Sequence, residues 1–256
     1  MNEILLNLGR DSVFWTRRLG AMAHLFYQTL SYAAFSPPRR PNIYKQMFEI
    51  GVRSLPVVLI TGAFTGMVLA VQTYYQFHKI TMETAVGIIV GLSMTNELGP
   101  VLTAVMVAGR VGAAMAAELG TMKVTEQIDA LSTLAVDPVR YLIVPRFIAC
   151  VALVPILTVF SIFIGIVGGW VVGVKMKGIN ATFFLKNMMD FMKPSDLVNG
   201  LVKSVVFAMI IAIVSCFEGF GAEGGAEGVG KATTQAVVAS AIVVLISDFF
   251  LSIILF

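Results

Sequence analysis

Apolar positions fall in long unbroken blocks along the chain rather than in short alternating runs. Residues 54–78 and 147–174 contain no Lys, Arg, Asp or Glu, and each block exceeds the roughly 20 residues that carry a helix across a hydrocarbon core. The pattern predicts five membrane-crossing helices, at about 55–77, 84–119, 147–174, 197–217 and 233–256. Both charge-free blocks lie well inside the chain, so neither reads as a signal peptide. Gly62 and Gly66 in the first span form a G-x-x-x-G pair that lets two helix backbones approach closely. In the second span Gly99-Pro100 follows Glu97. A proline there cannot donate to the carbonyl of Asn96, which predicts a kink or break beside an acidic side chain at membrane depth.

Three segments carry a mixed pattern instead. Trp15, Leu19, Met22 and Phe26 recur at helical spacing with Arg17, Arg18, His24 and Gln28 between them. That predicts an amphipathic helix over about 10–35, too polar to span and suited to the headgroup layer, with packing on a soluble partner as the alternative. The basic linker Ser36-Pro37-Pro38-Arg39-Arg40-Pro41 ends it. The stretch KVTEQIDALSTLAVDP, residues 123–138, sets Val124, Ile128, Leu131 and Leu134 against a polar side and predicts a short amphipathic helix outside the bilayer over about 123–136. A Phe- and Met-rich connection with Lys175, Lys177, Lys186 and Lys193 predicts an interfacial helix between the third and fourth spans. The chain thus reads as an all-α integral membrane protein, with an N-terminal interfacial segment over 1–53 and a five-helix membrane domain over 54–256.

Composition agrees: of 256 residues 57% are hydrophobic and only 13% charged, far from the balance of a water-soluble domain. Charge adds the orientation. Eleven Lys and Arg fall on the side of the N-terminus and the 123–138 segment, against five on the other. Positive residues stay inside, so the N-terminus is expected on the cytoplasmic side and the C-terminus on the opposite side. The lysine-rich connection dissents from that count. A net charge of +3 gives no argument for nucleic acid. Cys150 and Cys216 sit in apolar runs and read as small buried hydrophobes, while His24 and His78 lack ligand companions, so no metal site is expected.

One stretch imitates a nucleotide site. In GGAEGVGKATT, Gly225, Gly230 and Lys231 match a phosphate loop, but Ala232 stands where a Ser or Thr hydroxyl would ligate magnesium. No buried strand precedes it, so ATP binding by this chain is rejected. No cofactor is expected on it, and no Ser/His, paired-Asp or metal constellation suggests an enzyme.

Two stretches, residues 97–138 (ELGPVLTAVMVAGRVGAAMAAELGTMKVTEQIDALSTLAVDP) and 224–238 (GGAEGVGKATTQAVV), resemble the MlaE (YrbE) permease family, the membrane subunits of ABC transporters associated with MCE-domain proteins. Length and helix order extend the resemblance over essentially the whole chain. It implies a homodimeric permease of a bacterial inner membrane that moves phospholipid between inner and outer membranes and maintains outer-membrane lipid asymmetry. Its implied partners are a cytoplasmic ABC ATPase dimer that holds ATP and Mg, a periplasmic ring of MCE-domain subunits and, in many systems, a STAS-domain subunit.

By that likeness the 123–136 segment is a coupling helix for the ATPase. Ile128 and Leu131 would serve the coupling, and Glu118, Glu126 and Asp129 would either meet basic residues of the ATPase or form a solvated face. Gln72, Tyr75, Asn96, Glu97 and Lys203 would line the polar part of a lipid pocket at the dimer interface, with Leu69 and Val101 against acyl chains. Lys203, near the outer end of the fourth span, would meet a lipid phosphate or snorkel to the interface. Arg110 is read as a structural partner of a helix-end carbonyl or of Glu118. A secondary carrier and a membrane anchor for a periplasmic MCE assembly remain as alternatives.

Overall fold

The computed structural model describes residues 2–35 and 40–255. The Pro-rich linker 36–39 lies outside the described residues, as do the side chains of 2–9, 11, 12, 14, 15 and 40, so the Trp15 reading is not reached. Among the described residues every regular element is helical. Helix α1 covers Asn2–Phe35. Five long apolar helices follow: α2 (Pro41–His78), α3 (Glu83–Val124), α5 (Val139–Met176), α7 (Pro194–Phe220) and α8 (Gly225–Leu255). Between them lie α4 (Gln127–Thr133), after α3, and α6 (Ala181–Phe191), after α5.

The predicted spans are right in number and order but short at their ends. The last begins at Gly225 rather than Thr233. Gly224 and Gly225, with φ of +85° and +72°, make the turn that reverses the chain after α7. Beyond them the glycine-rich stretch is already helix, so it forms no phosphate loop.

Helix α3 is interrupted as the proline requires. Its hydrogen-bond ladder widens to π-type turns over Met94–Leu98 and Ala108–Gly112, the first of them directly before Gly99-Pro100. The widened turn absorbs the bond that Pro100 cannot make, and it holds Asn96 and Glu97.

Helices α2 and α5 cross at backbone contact. A Cβ on Gly66 would stand 1.9 Å from the carbonyl oxygen of Gly165, and one on Gly168 would stand 2.6 Å from that of Ala63. The G-x-x-x-G pair therefore works within the chain, between the first and third spans. The main core lies among α3, α5 and α7 around Leu119, Ile143, Cys150, Phe207 and Ile211. Helix α8 touches it through one narrow stripe, Ala232, Ala236, Ser240 and Val244, and leaves Ile242, Leu245, Ile246, Phe249 and Ile253 exposed.

Helix α1 lies against the α4 end of the bundle. Arg18 pairs with buried Glu218 at 2.5 Å, Tyr32 Oη donates to Asp137 Oδ2 at 2.6 Å, and Phe26 meets Phe147 edge to face. Its outer side exposes Leu19, Tyr27 and Phe35.

Candidate intramembrane polar site

Three helices bring ionisable groups together inside the bundle. Lys203 of α7 is fully buried, and its Nζ lies 2.7 Å from Glu97 Oε1 of α3 and 3.0 Å from Asp248 Oδ1 of α8. The same ammonium donates to Ser252 Oγ at 2.8 Å and to the Asn96 carbonyl at 3.1 Å. Ser252 Oγ also lies 3.1 Å from Glu97 Oε1 and 2.8 Å from the Asp248 carbonyl, tying α8 to the group. The buried Asn96 Oδ1 accepts no hydrogen bond. Glu97 is the open member, its side chain 42% exposed against 18% for Asp248.

Ionised groups at membrane depth are costly unless paired, and this arrangement pairs one cation with two carboxylates. In this conformation the Lys203 ammonium is turned inward onto the two carboxylates rather than toward the membrane surface. Helix α7 starts at Pro194, where the Lys193 backbone N–H donates to Asp196 Oδ2 at 2.8 Å, so Lys203 sits roughly 14 Å into the helix at 1.5 Å per residue. Asp248 and Ser252 were missed by sequence reasoning. The signal for Asp248 was present, since it is an acidic residue within the last apolar run.

The remaining pocket candidates are spread along α2 and α3. Leu69 and Gln72 line a groove of about 320 Å³ with Phe64, Thr65, Val68 and Leu98, the neighbour of Glu97. Val101 is half-buried against the main core instead. Tyr75 stands at the far end of α2, where Lys177 lies 3.2 Å from its hydroxyl and over its ring, so the structure does not bring it to Glu97.

The expected coupling segment is shorter and differently used. Glu126 and Ala135, with φ of +60° and +58°, bracket α4 and confine it to 127–133. Ile128 is buried in the main core, and Leu131 packs against it; these two fasten α4 to its own chain rather than face outward. Asp129 pairs with Lys123 at 3.0 Å, and Glu118, on α3, pairs with Arg146 at 2.8 Å. Glu126 is exposed, and Leu134 offers the apolar side chain at 73% exposure. Arg110 donates to Ser54 Oγ at 2.6 Å and to the Glu49 carbonyl at 3.2 Å. It is the structural partner of a carbonyl that the sequence suggested, while Glu118 goes to Arg146. Among the described residues no His, Cys, Asp and Glu cluster has the makings of a metal site.

A family model described as Permease MlaE matches residues 43–254. A probable ABC transporter permease protein of Synechocystis sp. is 46% identical over 242 residues, covering 94% of this chain and 92% of that protein. A probable ABC transporter permease protein of Rickettsia felis is 43% identical, covering 98% of this chain and 96% of its own length. The intermembrane phospholipid transport system permease protein MlaE of Haemophilus influenzae is 40% identical, with 97% and 96% covered.

Proposed function

Because the chain belongs to the MlaE permease family, we propose that it is the membrane subunit of an ABC transporter that carries phospholipid between inner and outer membranes, while a separate cytoplasmic ATPase dimer holds ATP and Mg. The observation that carries this reading is the buried Lys203 holding Glu97 and Asp248 beside a groove that opens along α2. Ionisable groups within membrane-spanning helices are rare, pair with one another and mark substrate paths. The printed name of the Haemophilus influenzae relative supports phospholipid as the substrate class.

On this reading two copies appose their α2 and α3 faces, so that Leu69 and Gln72 meet acyl chains while Asn96, Glu97 and Lys203 meet the polar head. Lipid entry at Glu97 would compete for the ammonium of Lys203, releasing Asp248 and loosening α8. The ATPase grips α4 around Glu126, Asp129 and Leu134. Since Ile128 and Leu131 lock α4 to the core, a push there moves α3 and α5 with it, and lipid affinity changes only as far as the lipid binds the two states differently. The N-terminus and α4 lie in the cytoplasm and α6 faces the periplasm, where MCE-domain subunits would collect the lipid; a STAS-domain subunit joins the ATPase side.

Lipid that copurifies with the permease–ATPase complex, identified and quantified by mass spectrometry, tests the reading. Glu97→Gln and Asn96→Ala, at two positions that meet the polar head, should each lower phospholipid affinity by roughly tenfold, the change expected from about 1.4 kcal/mol of lost headgroup contact, with the complex still assembled. Unchanged lipid content in both variants would overturn the role of the cluster.

A further inference from the structure

A second polar cavity lies at the other end of the bundle, roughly 30 Å from Glu97 along α3 at 1.5 Å per residue. It measures about 720 Å³, with Lys45, Glu49 and Arg53 of α2 on one wall and Glu118, Tyr141 and Arg146 of α3 and α5 on the other. That volume falls in the roughly 300–1,000 Å³ range of small-ligand clefts. We propose that this cavity binds a phospholipid headgroup carrying both a phosphate and a primary ammonium, drawn from the leaflet on the α4 side. The proposal needs neither lipid at the Glu97 cluster nor an ATPase.

The charge pattern selects the ligand. Three cations and two carboxylates share one cleft, so a purely acidic ligand meets Glu49 and Glu118, and a purely basic one meets Lys45, Arg53 and Arg146. A zwitterion with the two charges a short spacer apart satisfies both sets. The groups are also available to it. Lys45 is exposed and makes no hydrogen bond or ion pair among the described residues. Arg146 is only 5% exposed, and although its Nη1 donates to the Leu142 carbonyl at 2.7 Å and its Nη2 to Glu118 at 2.8 Å, its Nε has no partner. Arg53 and Glu49 pair at 2.7 Å with side chains 58% and 36% exposed, a solvent-screened pair that exchanges partners readily. Phosphate oxygens therefore fit Lys45 Nζ and the exposed Arg53 guanidinium as charge-assisted acceptors, with the buried Arg146 adding its charge behind them, and the ammonium fits between the carboxylates. A lipid is favoured over a soluble phosphoester because the walls are ends of membrane-spanning helices and carry Met122, Leu142 and Pro145.

The test places a photoreactive benzophenone side chain at Thr121, which lines the cavity, in the full chain in nanodiscs of equal parts phosphatidylethanolamine, phosphatidylcholine and phosphatidylglycerol, with adducts read by mass spectrometry. Phosphatidylethanolamine adducts should exceed each of the others by roughly fivefold, as the loss of one charge-assisted hydrogen bond implies. Glu49→Gln, which removes one of the carboxylates that hold the ammonium, should abolish that preference, whereas Lys45→Gln, at an exposed and unpaired position, should lower the yield of all three lipids alike. A second label at Gln72 reports the α2 groove separately, so failure at one site is not mistaken for failure at the other. Equal yields for the three lipids, no lipid adduct at Thr121, capture of a peptide instead, or equal capture of soluble glycerophosphoethanolamine would each overturn the proposal.

Discussion

At Lys203 one wholly buried ammonium holds carboxylates from two other helices, Glu97 of α3 and Asp248 of α8. Lys203→Met would leave both without their cation, Asp248 with only 18% of its side chain exposed. Breaking a buried pair from one side typically costs about 3–5 kcal/mol, and that loss should appear in chemical denaturation of the detergent-solubilised chain. Adding Asp248→Asn to the Lys203→Met background should recover part of it, because one uncompensated charge is removed. If Lys203→Met unfolded at the wild-type denaturant concentration, the cluster would not stabilise the bundle. Like Asp248, whose signal went unread, Glu97 and Lys203 were legible in the sequence, since they interrupt apolar runs. Their mutual contact was not, because 106 residues separate them and only the packing of α3 on α7 decides which intramembrane charges meet. Ser252 gave no signal at all, as a serine in a helix is ordinarily satisfied by its own backbone.

The α2–α5 crossing shows how a helix pair can depend on the absence of a side chain. Gly66→Ala would drive its Cβ to 1.9 Å from a backbone oxygen that cannot rotate away, whereas a Cβ on Gly109 would meet nothing within 4 Å. Gly66→Ala should therefore destabilise by more than the roughly 1–3 kcal/mol of ordinary overpacking. Gly109→Ala should stabilise slightly, by up to about 1 kcal/mol of helix propensity; the same denaturation measurement reads both. The glycine spacing announced a close contact without naming the partner helix. Helix α4 repeats the lesson. Periodicity found its apolar face, but not that Ile128 and Leu131 turn that face toward their own core, nor that backbone turns at Glu126 and Ala135 cut the helix to seven residues. Leu134→Asp should accordingly weaken capture of a purified partner ATPase while leaving the thermal stability of the permease within about 0.5 kcal/mol of wild type, as surface changes do. Ile128→Ala should cost the chain itself about 2–5 kcal/mol.

For the whole molecule, five crossings place α4 and α6 on opposite faces of a membrane. That count was readable from sequence because apolar runs of this length, two of them free of charge, have few other uses, yet the same residues leave sidedness to a charge ledger that the lysines around α6 contradict. Why they are tolerated is partly visible: Lys177 lies over the Tyr75 ring and Lys175 near that of Trp170, so two of the dissenting cations rest on aromatic faces at the membrane boundary, where such anchors are common on either side. Accessibility decides the orientation directly. Leu134 and Met189 are 73% and 67% exposed, and the native Cys150 and Cys216 are both fully buried, so a single introduced thiol labels against little background. In intact spheroplasts a membrane-impermeant maleimide should modify Met189→Cys and spare Leu134→Cys until the membrane is permeabilised. The reverse pattern would put α4 outside, beyond the reach of any cytoplasmic ATPase, and the proposed coupling would then have no motor to transmit.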